Sequence, residues 1–126
     1  MKIRGREIRF MCTVEAHDKI SALAEDNNIN TVMKKLQGDG DTVELYTTAV
    51  LFTVAMSEGY ESHAAWENPE YIPNPLTMDE CHHLLRKDFD QLYSEAVDAF
   101  MHDVGVSVEA EAPKGKKAEA GASESG

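Results

Sequence analysis

Only two cysteines, Cys12 and Cys81, occur in the 126 residues. That is too few for a disulfide framework, and both are expected as reduced thiols. No run of about 18 uncharged apolar residues exists, so no membrane-spanning helix is expected. The longest apolar stretch, from Ala49 to Met56, reads instead as a buried helix. Aromatic residues reach only 7% of the chain, but apolar residues together make up 42%, enough for one core. The first residues, MKIRGREIR, are charged and lack an apolar signal segment. A cytoplasmic location follows as the expectation. Basic residues are scarce, 12 against 23 acidic, for a net charge of −11. Such a body repels phosphate backbones, which argues against nucleic acid as a partner.

The charge is unevenly spread. Residues 1–9 hold Lys2, Arg4, Arg6 and Arg9 against Glu7, a balance of +3, while the remaining eight basic and 22 acidic residues give −14. The basic start reads as a solvated strand face, the other reading being a contact with the acidic flank of a second copy. From Glu109 to Gly126 the chain uses only Glu, Ala, Pro, Lys, Gly and Ser. This composition cannot bury a core, and disorder is the expectation. The chain therefore divides into one domain over residues 1–105 and a low-complexity tail over residues 106–126. About a hundred residues suffice for a single small domain.

Glu7-Ile8-Arg9-Phe10-Met11 alternates polar and apolar, the period of a half-buried strand. With Gly5-Arg6 as a turn, a short β-hairpin is expected. Thr13 caps a first helix carrying Ile20, Leu23 and Ala24 on one face, and Asn27-Asn28 breaks it. A short second helix starts at Asn30 or Thr31 and ends at Gly38 to Gly40. Asp41 or Thr42 opens a third helix whose second half has almost no polar face, so it is expected at the centre, with Gly59 as terminator. Pro69, Pro73 and Pro75 forbid a long helix and make an extended connector carrying Tyr71 and Ile72. Thr77 and Glu80 form a capping box for the next helix. Asp88 looks like the cap of a last amphipathic helix through Phe89, Leu92, Ala96, Phe100 and Val104, closed by Gly105. The fold class is α+β and mostly helical: an N-terminal hairpin, four or five helices and the tail.

Catalytic and metal chemistry find little support. Cys81, His82 and His83 are consecutive, so on a helix they point about 100° apart and do not converge on one ion. His17, His63 and His102 fall at no recognised ligand spacing. Cys81 lies in the first turn of a helix, where a thiol pKa is lowered, and a mild reactivity is expected. Asp39-Gly40-Asp41 lacks the twelve-residue calcium pattern, and no Lys-Ser/Thr pair follows the glycines to make a phosphate loop. No catalytic residue, metal or cofactor is assigned, and the chain is not expected to be an enzyme. The acidic residues of the last helices, among them Asp79, Glu80, Asp90 and Asp98, read as a solvated face, with a basic partner as the alternative.

Taken in order, these pieces resemble a known family. Lys2-Ile3-Arg4-Gly5-Arg6-Glu7-Ile8-Arg9-Phe10 leads into a helix, and a buried helix carries Ala49 to Met56. Pro75-Leu76-Thr77 introduces the closing helices, with Asp88-Phe89 before Leu92, Glu95 and Ala96. Val108-Glu109-Ala110-Glu111 precedes a Lys-rich tail of small residues. This order resembles the tail assembly chaperones of long-tailed bacteriophages and prophages, especially those of Gram-positive hosts. The resemblance implies a protein absent from the finished virion that holds the tape measure protein, helps the major tail tube protein polymerise around it, and self-associates. It also implies a longer product made by programmed frameshifting, for which Lys116-Lys117 would suit a slippery codon pair. The candidate partner-binding residues are Ile8 and Phe10 of the hairpin and Trp66, Tyr71 and Ile72 of the connector. The alternative is a structural phage subunit such as a head-tail connector component.

Overall fold

The computed structural model describes residues 1–38 and 43–105. A hairpin of β1 (Lys2–Ile3) and β2 (Arg6–Glu7) is followed by α1 (Val14–Ser21), α2 (Ile29–Leu36), α3 (Val43–Glu67), α4 (Met78–His82) and α5 (Arg86–Val104). This is the expected α+β, mostly helical architecture. The tail at 106–126, the Gly40 turn and the proposed caps Asp41 and Thr42 lie outside the described residues.

The hairpin strands pair antiparallel, Lys2 opposite Glu7 and Ile3 opposite Arg6. The turn falls on Arg4 and Gly5, with φ of 53° and 86°, the positive-φ pair of a type I′ turn. It lies one residue earlier than the expected Gly5-Arg6. The alternating stretch to Met11 is not a strand either, since β2 stops at Glu7. Ile8 N–H donates to the Met1 carbonyl at 2.9 Å and Met11 N–H to the Met56 carbonyl at 3.0 Å. The segment is thus held against α3, and the apolar period records that packing rather than a ladder.

Most helix starts follow their caps. The Thr13 hydroxyl accepts from Ala16 N–H at 3.1 Å and opens α1. The Asn28 side chain accepts from Asn30 N–H at 2.8 Å, so α2 begins at Ile29, just ahead of the expected start. Thr77 and Glu80 form the full capping box of α4. The start of α5 departs from expectation: Leu85 occupies the cap position without a side-chain hydrogen bond, and Asp88 falls inside the first turn. Gly105, at φ 65°, closes α5 as expected.

Gly59 does not end α3, which runs 25 residues to Glu67. A Cβ at Gly59 would strike the Met11 carbonyl oxygen and come within 3.1 Å of the Ala16 Cβ. The glycine lets the N-terminal segment and α1 approach the helix, at the cost of some helix propensity. Asn68-Pro69 follows the true end.

α3 touches each of the other four helices. On one side Ile3, Ile8, Val50, Leu76, Phe89 and Leu92 form a cluster. On the other Ile20, Val32, Phe52, Met56, Ala96 and Phe100 form a second. Phe10, Leu36 and Tyr93 pack against both. Phe52 sits edge-on to Tyr93 and Phe100, with ring centroids 5.9 and 5.5 Å away. Complete burial of such a ring contributes on the order of 2–3 kcal/mol.

The buried polar residues of α3 divide by task. Thr48 and Thr53 donate to the carbonyls of Glu44 and Ala49, one turn back in their own helix. Ser57 and Glu61 instead reach outward and fix the connector, which runs back along α3.

Candidate interaction surfaces

The connector is shaped by one carboxylate. Glu61 is buried, and its Oε1 accepts from the Tyr71 hydroxyl at 2.7 Å and from Asn74 N–H at 2.8 Å. The carboxylate beside it pushes the Tyr71 hydroxyl pKa up. Ser57 Oγ accepts from Leu76 N–H at 2.8 Å, which draws Leu76 into the core. Tethered at Tyr71 and again from Asn74 to Leu76, the connector holds Ile72 outward, 84% exposed. At the end of α3, Trp66 is 77% exposed, its ring 5.7 Å from that of His63. His63 lies 3.5 Å from Glu67.

Of the five candidate partner-binding residues, Trp66, Tyr71 and Ile72 therefore reach the surface at one end of α3. Ile8 and Phe10 do not join them. Ile8 is buried in the first cluster, and Phe10 is half-buried between the two clusters. The hairpin points its apolar side chains inward, leaving Lys2, Arg4 and Arg9 outside.

Two apolar hollows were not anticipated. One, of 460 Å³, lies between the start of α3, α4 and the start of α5, and is lined by Val43, Tyr46, Val50, Met78, Arg86 and Phe89 among others. The other, of 510 Å³, is a groove between α2 and the end of α5, lined chiefly by Ile29, Met33, Phe100, Met101 and Val104. The signal for the second was present in the apolar stripe of α5, which continues to Val104 past the last buried residue, Phe100. The signal for the first was Val43 and Met78, apolar residues at helix starts where polar ones are the rule.

Cys81 does not match the reactivity expected of it. Burial, and then the neighbouring Glu80, pushes the Cys81 thiol up to about 11. Desolvation outweighs the field of the short helix α4. Cys12 is also raised to about 11, by burial and then by Asp103. Among the described residues no group of three or more His, Cys, Asp or Glu side chains is placed to hold a metal ion, and no helix is long and apolar enough to cross a membrane. The chain matches no protein-family model, no curated protein and no solved structure.

Proposed function

We propose that the chain is a tail assembly chaperone of a long-tailed phage or prophage, acting in the host cytoplasm and absent from the finished virion. In this reading it holds the tape measure protein and assists polymerisation of the major tail tube protein, with no cofactor and no chemical turnover. The order of elements that resembles the family supports the proposal. The observation that carries it is the groove between α2 and α5. A long helical client needs an apolar surface that adapts to a varying sequence. Met33 and Met101 supply it, because unbranched thioether side chains repack around different partners. A net charge of −11 keeps a body with such a surface in solution.

Co-expression with the tape measure protein tests this directly. The wild-type chain is expected to raise the soluble fraction of the client, and the double variant Met33→Glu/Met101→Glu to lose most of that effect while remaining folded. A client equally insoluble with and without the chain overturns the proposal. Recovery of the chain in purified virions would favour a structural subunit, such as a head-tail connector component.

A further inference from the structure

α5 ends beside the groove that it shares with α2. Ile29 and Met33 line one wall, and Phe100, Met101 and Val104 the other. Met101 and Val104 stay 37% and 38% exposed, so the apolar surface is open at the point where the helix stops. Among the described residues its lining carries one charged side chain, Lys34, and no carboxylate. The helix closes on Gly105, at φ 65°, whose N–H donates to the Met101 carbonyl. A left-handed end of this kind turns the chain off the helix axis. An apolar residue just after the glycine then commonly packs back on the side chain four positions before the glycine. Here that pair is Val106 and Met101, and Met101 is a groove residue. The sequence continues Val106-Ser107-Val108-Glu109-Ala110-Glu111. Apolar and polar residues alternate, so an extended backbone would put Val106, Val108 and Ala110 on one face.

We propose that residues 106–110 fold back as an extended segment and cover the groove between α2 and α5 of their own chain. The reach fits. Those residues span roughly 13 Å when extended, and α2, at 8 residues, is about 12 Å long. The chemistry fits as well. Val106 and Val108 would meet Met101, Met33 and Ile29, while the carboxylates of Glu109 and Glu111 would face Lys34, the groove's one cation. Because the segment is attached at the groove's edge, it meets the groove at an effective concentration on the order of millimolar, and weak contacts suffice. Any apolar ligand of the groove must then displace it, which makes the segment a built-in competitor. For a client helix this consequence rests on the chaperone reading; the occupancy itself does not.

Methyl NMR of the full chain, carbon-13 labelled at methionine and valine, tests the contact. Nuclear Overhauser effects from the Val106 and Val108 methyls to those of Met33 and Met101 are expected. The double variant Val106→Ser/Val108→Ser is expected to remove them and to shift the Met33 and Met101 signals. Met56, fully buried in the second cluster, should keep its position and so report an intact fold. The same variant is expected to raise the emission of anilinonaphthalene sulfonate, a probe of exposed apolar surface, at least about twofold. Absence of these effects in the wild type, with Met33 and Met101 signals unchanged in the variant, overturns the inference. So does equal probe emission from the two chains. A contact seen only between separately labelled chains would seat the segment on a second copy and overturns it too. No client enters these readouts, so a client that stays insoluble overturns the chaperone reading alone.

Discussion

At the scale of single residues, Glu80 joins three parts of the fold. Its Oε1 accepts from Thr77 N–H at 3.0 Å as part of the capping box, and both of its oxygens receive the Arg6 guanidinium, at 2.7 and 2.9 Å. Arg6 also donates to the Pro75 carbonyl at 3.3 Å, although its Nε is buried without a partner. The hairpin, the connector and α4 are thereby tied at one point. The Arg6 guanidinium holds the Glu80 carboxyl well below its ordinary 4.5, at about 2. The folded chain thus binds that proton more weakly than the unfolded chain. The pair's contribution is fully present above about pH 4.5 and is lost as pH falls toward 2. Glu80→Gln is expected to cost on the order of 2 kcal/mol at pH 7. The gap between the urea midpoints of variant and wild type should narrow steadily from pH 5 to pH 2. A gap that stays constant over that range would mean the carboxylate is not linked to folding. Sequence shows half of this residue's work. The capping box is read from a spacing of three, but the partner Arg6 lies 74 residues away and no local pattern points to it.

Among the elements, α5 is the one whose start departs from sequence rules. Asp88 carries the chemistry of a cap, yet the chain becomes helical two residues earlier because the apolar stripe of Phe89 and Leu92 must face α3. Tertiary packing fixes the register, and Leu85 is left at the cap position 64% exposed, its carbonyl accepting from Asp88 and Phe89 N–H but its side chain offering no acceptor to the first turn. Leu85→Ser supplies the missing acceptor and is expected to stabilise the protein by about 0.5–1 kcal/mol, read as a rise in the thermal midpoint. An unchanged or lower midpoint would show that Leu85 packs against a neighbour in the folded chain. The same competition explains which other boundaries were legible. Thr13, Thr77 and Gly105 act locally, so their roles follow from neighbouring residues. Gly59 looks like a stop, but a helix interior tolerates glycine where another backbone must pass close by, and only the fold brings Met11 there. The alternation from Glu7 to Met11 marked the correct inward residue, Ile8, but assigned the wrong partner, since its neighbour is a helix and not a strand. The hollow beside α4 escaped for a related reason. Its walls come from three helices, none of which shows a binding pattern by itself.

For the molecule as a whole, the question is whether the two apolar clusters flanking α3 are one core or two. α3 and α5 supply residues to both, and Phe10, Leu36 and Tyr93 touch both. The N-terminal segment crosses from one to the other, anchored where Met11 bonds to Met56 and where Cys12 N–H donates to Asp103 at 2.9 Å. Opening either cluster would therefore strip apolar contacts from the same two helices that close the other, which makes the clusters cooperative. Phe52→Ala, in the second cluster, removes a ring packed edge-on against Tyr93 and Phe100 and is expected to cost about 3–5 kcal/mol. In both the wild type and this variant, near-UV and far-UV circular dichroism should trace a single coincident transition in urea. The test bears on the first cluster as well. Were it an independent unit, the variant would lose its second cluster first, and α4 and the hairpin would melt later in a separate step. A single transition, displaced to lower urea with an unchanged slope, is the result that shared walls require.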